Sequence, residues 1–446
     1  MDPLQISTLI IFVVTVFLII VRWIDSVIAA MLGVLVMVML GAMTEVEAFA
    51  YVDWNVIIIL TSIWLIAGYF GKTGIPEYLG DLMLRWSGGN APLFVTLIGG
   101  LAGFISMFID NVVVVLMLAP VVFHVRKLYN FEATGAILFI GLCSNFMGTA
   151  LLLGDLPPQM LHSVAGIEFL GFVWHSGRPS SFIILTLTYV VVVVLFYFKF
   201  RLSPMADSTL DPEIHSSTYQ SEPHIKNKRF AWVVCVVFAL TIIGMALREH
   251  LGVMLGYIAF CGTVLLILVF EVFGKAWHLD PPDLDGMLSE LDWKAIGFYV
   301  ALFALVGGLE NSGILELVAE WFVPYIESSL LSGVSILYWA TALIVGVVEH
   351  DAYILTILYV IRDLGETNGI DPWPLYWALV WAGTLGSNLT IAGAPALYVA
   401  LSLGEKEDAK TWSLKQFLGY SVPYVIVSLV VCYILMLFIW VLPFIE

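Results

Sequence analysis

Two short stretches, Phe108-Ile109-Asp110-Asn111-Val112 and Val348-Glu349-His350-Asp351-Ala352, set carboxylate, amide and imidazole groups inside otherwise apolar runs. A carboxylate at the centre of a bilayer costs roughly 2.5–3.5 kcal/mol on insertion scales. Groups that costly persist where an ion or substrate path uses them. Two further interruptions have the same character. Ser144-Asn145-Phe146-Met147-Gly148-Thr149 leads into Gly154-Asp155-Leu156-Pro157-Pro158, and Gly386-Ser387-Asn388-Leu389-Thr390 leads into Gly393-Ala394-Pro395. Gly and Pro stop a helix there, while Ser, Asn and Thr supply neutral oxygens. Carbonyls, hydroxyls and a carboxylate suit a dehydrated Na⁺, and half-helix N-termini suit an anion.

The candidate binding set is therefore Asp110, Asn111, Ser144, Asn145, Gly148, Thr149, Asp155, Glu349, His350, Asp351, Ser387, Asn388 and Thr390. His350, between two carboxylates, is a candidate proton-relay member, since imidazole titrates near neutral pH. A tighter metal site is not expected, because adjacent residues rarely converge on one ion. Glu310 and Glu316 read as interfacial residues facing headgroups. Trp23, Trp54, Trp86 and Trp293, near the ends of apolar runs, read as interfacial anchors.

The elements that must hold these groups are membrane helices. Of 446 residues, 61% are hydrophobic and 12% charged, with a mean hydropathy of +0.99. Soluble domains carry about 25% charged residues, so the chain reads as an all-α polytopic membrane protein. Runs such as 9–21, 27–43, 182–198 and 425–441 approach the length that crosses about 30 Å of hydrocarbon. The first of them follows Met1-Asp2-Pro3, without a positive n-region or a cleavage site, and reads as a retained span. Interrupted apolar stretches lie near 92–124, 133–176, 332–360 and 374–402. The Ser-, Pro- and acid-rich segment 201–229 is a linker between halves 1–200 and 230–446.

The halves echo each other. Gly74 recurs as Gly313 and Asp110 as Glu349, each at a step of 239 residues, and Ser144-Asn145 recurs as Ser387-Asn388 at 243, which implies a small insertion. With the stretches at 92–124 and 332–360 treated as re-entrant hairpins, fifteen of the eighteen basic residues fall on one side, which the positive-inside rule makes the cytoplasm. The other three are Arg178, Arg248 and Arg362. Both termini are then extracytoplasmic. Each half has five crossings and one hairpin, about ten transmembrane helices in all, arranged as an inverted repeat whose hairpin tips meet near the midplane.

The run from Asp110-Asn111 through Leu116-Met117-Leu118-Ala119-Pro120 resembles the Asp-Asn hairpin motif of the ion transporter superfamily. That group holds arsenite-efflux permeases, NhaD-type sodium/proton antiporters, the melanosomal pink-eyed protein and citrate transporter-like carriers. Gly148-Thr149-Ala150 through Gly154-Asp155-Leu156-Pro157-Pro158 resembles its Gly-Asp-Pro-Pro loop, and Gly307-Gly308-Leu309-Glu310-Asn311-Ser312-Gly313 also fits. Departures lie at Glu349-His350-Asp351, at Gln159 and at Gly393-Ala394-Pro395-Ala396. The resemblance implies a homodimer with a static scaffold, a mobile transport unit and an elevator-type mechanism. It assigns substrate and cation to the hairpin tips and breaks.

The expected function is secondary active transport in the plasma membrane. Sodium/proton-coupled antiport or efflux of a small ion is the first reading, and Na⁺- or H⁺-coupled carriage of a citrate- or dicarboxylate-type anion is the alternative. An enzyme is not expected, since no HExxH, GxSxG or phosphate-binding glycine loop occurs. Neither is a cofactor beyond the coupling Na⁺ or H⁺. The net charge of −17 resides mostly in loops and says nothing about nucleic acid; no basic cluster exceeds Lys226-Asn227-Lys228-Arg229, and no nucleic-acid partner is expected. The four cysteines lack metal-ligand spacing.

Overall fold

A computed structural model describes residues 1–21, 23–129, 131–202, 225–315, 317, 324, 329–346, 350–391 and 393–444. Glu349, Glu316 and most of the linker at 201–229 lie outside the described residues.

The chain opens with α1 (Pro3–Val21), α2 (Ser26–Met39), α3 (Glu45–Ala50), α4 (Trp54–Gly71) and α5 (Ile75–Ser87). Then come α6 (Ala91–Ser106), α7 (Asn111–Tyr129), α8 (Ala133–Met147) and α9 (Leu156–Ala165). A short antiparallel pair, β1 (Trp174–His175) with β2 (Arg178–Pro179), leads into α10 (Ser181–Arg201). The second half holds α11 (Lys228–Ala246), α12 (Arg248–Leu251), α13 (Leu255–Trp277), α14 (Leu284–Ser289) and α15 (Trp293–Asn311). It ends with α16 (Leu330–Val345), α17 (His350–Asn368), α18 (Trp373–Ser387), α19 (Pro395–Asp408) and α20 (Leu414–Met436). Six helices among the described residues are long and apolar enough to cross a membrane: α4, α10, α11, α13, α15 and the one beginning at Leu414. The apolar parts of α1, α2, α6, α7, α8 and α16 are shorter.

The expected interruptions are real breaks in the helices. α6 stops at Ser106 and α7 starts at Asn111; α16 stops at Val345 and α17 starts at His350. Helix bounds and caps repeat at one step. α3, α6 and α7 recur as α14, α16 and α17 with both ends displaced by 239 residues. Thr44 and Asp283, Asp53 and Asp292, and Asn90 and Ser329 cap corresponding helices by accepting from backbone amides, although the residue types differ in the first and third pairs. The step stays at 239 past the second breaks, because α9 begins at Leu156 and α19 at Pro395. The pairing of Ser144-Asn145 with Ser387-Asn388 at 243 is thereby corrected, and no insertion is needed. Asn145 corresponds to Thr384 and Thr149 to Asn388; the shared dipeptide sits one helical turn out of register.

Packing sorts the helices into two bundles. One contains α1–α4, α11 and α13–α15; the other contains α5–α8, α10, α16 and α18–α20, with α9 and α17 packed against each other and against α18. The bundles meet where α15 touches α17 and α4 touches α9. Lipid tails are as apolar as leucine, so close approach at small residues, rather than burial from water, holds such helices together. A Cβ on Gly386 would lie 2.5 Å from the Ala342 carbonyl oxygen, and one on Gly404 would lie 2.5 Å from the Thr134 Cα. Polar ties add register. The α8 N-cap Glu132 makes no capping bond with its own side chain, and Asp408 at the end of α19 does so instead. It accepts from the Ala133 and Thr134 amides at 3.1 and 2.9 Å and pairs with Arg126 Nε at 3.0 Å. In the first bundle, Lys294 at the start of α15 bonds Asp25 before α2 at 2.9 Å and holds that carboxyl below its usual range.

The α16–α18 crossing gives a direct check. Gly386→Ala should destabilise the protein by about 1–3 kcal/mol, since its Cβ meets backbone that cannot yield. Gly419→Ala, with nothing within 4 Å of its Cβ, should be neutral or slightly stabilising. Melting temperatures in detergent compare the two.

Candidate functional site: an acidic cleft between two bundles

The two helix breaks of each half press backbone against backbone. A Cβ on Gly154 would lie 2.0 Å from the Ser106 carbonyl oxygen and 2.6 Å from that of Gly148. One on Gly393 would lie 2.3 Å from the Ser387 oxygen and 2.8 Å from the Val345 oxygen. All three pairs, 154/393, 106/345 and 148/387, keep the step of 239, so both halves use glycine for the same close approach. The unwound carbonyls are thus gathered inside protein, the condition under which irregular backbone survives at membrane depth.

Side chains tie the breaks across the halves. Asn111 Nδ2 donates to Asn145 Oδ1 at 2.9 Å and to Asp155 Oδ2 at 3.3 Å. Asn145 Nδ2 in turn donates to Ser387 Oγ at 3.0 Å, and the Thr149 and Thr384 hydroxyls lie 2.5 Å apart. Thr390 Oγ1 donates to the Gly346 carbonyl at 2.6 Å, binding the second break to the end of α16. Asn388 is fully buried, and its amide has no protein partner among the described residues. Ser144 bonds back to the Gly141 carbonyl within α8, so its hydroxyl serves its own helix.

Four helix N-termini converge here, those of α7, α9, α17 and α19. Among the described residues, two carry carboxylate caps. Asp110 Oδ1 accepts from the Val112 and Val113 amides at 2.9 and 3.2 Å, and Asp155 Oδ1 accepts from the Leu156 amide at 2.9 Å. α19 begins at Pro395 behind Ala394, which offers no side-chain cap. His350 and Asp351 form the first turn of α17, both buried, with His350 Nε2 and Asp351 Oδ1 3.2 Å apart.

These groups form one wall of a cleft of about 700 Å³. Asp110, Asn111, Asp155, His350, Asp351 and Pro395 face it from one bundle, with Val113, Met117 and Pro120 of α7 beside them. The opposite wall belongs to the other bundle: Trp64, Gly68 and Gly71 of α4, and Met287, Ala295 and Tyr299 of α14 and α15. At the rim Lys72 bonds Glu290 at 2.7 Å, with Glu77 and Asp292 nearby. Lys72 is the one basic residue among the described lining residues, and it is already paired. The cleft is acidic, and the Coulomb field of several carboxylates favours a cation inside it.

Of the expected residues, Asp110, Asn111, Asp155, His350 and Asp351 share the cleft wall. Asn145, Thr149, Ser387, Asn388 and Thr390 lie in the buried layer that joins the breaks, as does the Gly148 backbone. Glu349 lies outside the described residues. Ser106 and Thr384 belong to the same layer and were not singled out from the sequence; Thr384 could have been found as the partner of Asn145 at the step of 239. Glu310, expected from the sequence to be interfacial, pairs with Arg362 Nη2 at 2.9 Å.

The citrate transporter family model, CitMHS, matches residues 16–382. The chain belongs to that family. It is 26% identical to an uncharacterized transporter of Mycobacterium bovis, over 86% of this chain and 87% of the relative. It is 22% identical to the human P protein, over 86% of this chain and 54% of that longer protein. Among solved structures, the Alcanivorax borkumensis YdaH transporter aligns with a TM-score of 0.58 at 15% identity, covering 88% of this chain and 86% of that one. Neisseria gonorrhoeae MtrF aligns with a TM-score of 0.60 at 13% identity, covering 99% and 95%. The chain is accordingly an integral membrane transporter with a transporter fold, and its family and relatives are transporters rather than enzymes.

The matched glycines make a paired prediction. Gly154→Ala and Gly393→Ala should each cut flux in proteoliposomes about tenfold or more, since ~1 Å of displacement disrupts a positioned set of ligands. An effect at one site alone would show that the two breaks are not equivalent.

Proposed function

We propose that the protein is a secondary active transporter that moves a small ion across the membrane in exchange for, or together with, Na⁺ or H⁺. The observation that carries this reading is the cleft itself, an acidic pocket at the helix breaks between two bundles. Its carboxylates Asp110, Asp155 and Asp351 attract a cation, and the carbonyls and amides behind them replace its hydration shell. His350 sits beside Asp351 and is our candidate for the proton path.

The bundle of α1–α4, α11 and α13–α15 is proposed as the scaffold and the other as the mobile transport unit, in an elevator-type cycle. In this reading α6/α7 and α16/α17 are re-entrant hairpins of an inverted repeat. The cleft rim carries Lys72, which the charge distribution assigns to the cytoplasm, so the conformation is inward-facing. A homodimer in the plasma membrane with both termini outside completes the proposal.

A second reading, a citrate-type organic anion, is favoured by the family description and by one feature of the site. The uncapped N-terminus of α19 reaches the cleft at Pro395, and a helix N-terminus attracts negative charge. An anion entering so acidic a cleft would need a cation beside it. Citrate counterflow in the same vesicles separates the readings: acceleration by internal citrate supports the anion, and indifference supports the simple ion.

Asp110→Asn should lower coupled flux about tenfold or more while elution volume and melting temperature stay near wild type; wild-type flux would remove Asp110 from the site. His350→Ala should flatten or displace the pH profile of flux. An unchanged profile moves the proton path elsewhere.

A further inference from the structure

The cleft opens at one end of the interface between the bundles. At the other end the bundles are fastened by polar contacts. α15 runs from Asp292, on the cleft rim, to Glu310, about 27 Å away at 1.5 Å per residue. α17 runs from His350, on the cleft wall, to Arg362, about 18 Å along. At those far ends Glu310 Oε1 meets Arg362 Nη2 at 2.9 Å. Arg362 also bonds Asp363 at 2.8 Å and lies 4.7 Å from the centre of the Tyr359 ring.

Three more contacts join the bundles around the far end of α4. Ser163 of α9 bonds Asp53, His162 Nε2 lies 3.5 Å from Asn55 Nδ2, and Glu168 beyond α9 pairs with Arg248 of α12. Two of the three basic residues on this face, Arg248 and Arg362, are therefore engaged across the junction. The Glu310 end is anchored within its own bundle: Asn311 donates to the Ala42 carbonyl at 2.8 Å, and Gln5 donates to the Ser312 carbonyl at 3.0 Å. Glu310 is a fixed post, and Arg362 sits on a helix of the other unit.

At the cleft end the corresponding helices, α4 and α7, have the cleft between them, with Gly68 and Gly71 on one wall and Val113 and Pro120 on the other. α15 and α17 are likewise parted at the cleft end, where Asp292, Ala295 and Tyr299 stand on one wall and His350 and Asp351 on the other, and they are joined at the far end by Glu310 and Arg362. From this asymmetry we infer that the Glu310–Arg362 and Glu168–Arg248 pairs form a releasable latch that holds the protein with its cleft open, and that transit to the opposite state breaks it. Ion pairs suit such a device. Each is only partly buried, with Glu310 and Arg362 side chains 25% and 27% exposed, so water can receive both charges on release. Pairs of this kind contribute little net stability, and separating them does not strand a charge in oil.

The latch rests on the alternating-access reading above. The test uses the full chain in lipid nanodiscs, with Ala295→Cys on the scaffold wall of the cleft as reporter and a hydrophilic maleimide as probe. The protein without the reporter sets the background from its native cysteines. Glu310→Gln, Arg362→Gln and Arg248→Gln should each slow reporter labelling by roughly two- to five-fold, the shift a partly exposed ion pair supports. The charge swap Glu310→Arg with Arg362→Glu should return the rate toward wild type. Unchanged labelling in monodisperse variants, or a lowered melting temperature with no change in labelling, overturns the latch and leaves the pairs as plain structural bonds. If a Gln variant does not fold, Glu168→Gln, which removes the charge from the second pair, provides the same comparison. Reporter labelling in the unmodified latch background that responds to neither Na⁺ nor pH overturns the carrier reading as well. A response that persists while every latch variant labels at the wild-type rate overturns the latch alone.

Discussion

Everything in this fold answers one constraint: polar groups placed inside an apolar helix bundle must find partners, because the surrounding hydrocarbon offers none. Four helix breaks expose backbone carbonyls and amides at depth, and the chain satisfies them by bringing the breaks to one place. Gly154 and Gly393 let backbone touch backbone, Asn111 and Asn145 carry hydrogen bonds from break to break, and Asp110 and Asp155 cap the helices that restart. Asp351 and His350 lie beside a cleft between the bundles, and the Asn388 amide lies in the layer behind it. That arrangement turns a folding problem into a candidate binding site.

The same constraint explains why the two halves match so closely in backbone yet differ in chemistry. The close approaches at Gly154 and Gly393 recur at a step of 239 residues because each break needs them. Side chains facing the cleft diverge. Asn111 corresponds to His350, Val112 to Asp351 and Asp155 to Ala394, so the first half caps both of its restarted helices with carboxylates, while the second carries the imidazole and an uncapped helix start.

Much of this was legible in the sequence, for physical reasons. Asp110-Asn111 and His350-Asp351 stand out because charge within an apolar run is costly, and the breaks after α8 and α18 stand out because Gly and Pro cannot continue a helix. What stayed hidden depends on contacts between distant positions. The capping of α8 by Asp408 joins residues 275 apart and leaves no local trace. Glu310 looks like any acid near a span end until Arg362 is brought against it. The dipeptide Ser-Asn misled the register because identity over two residues outweighed the helix geometry around them. Ser144 shows the converse: a hydroxyl at the expected place bonds its own helix and does not reach the cleft.

The most direct measurement is the environment of residue 110 in a bilayer. A nitroxide attached there in liposomes, with a second on Leu268 of the lipid-exposed α13 as reference, can be relaxed by a water-soluble nickel chelate or by oxygen dissolved in the lipid. The account predicts that the chelate dominates at position 110 and oxygen dominates at position 268. Oxygen-dominated relaxation at both positions would mean that the Asp110 break faces lipid rather than a wet cleft, which would contradict the account at its root.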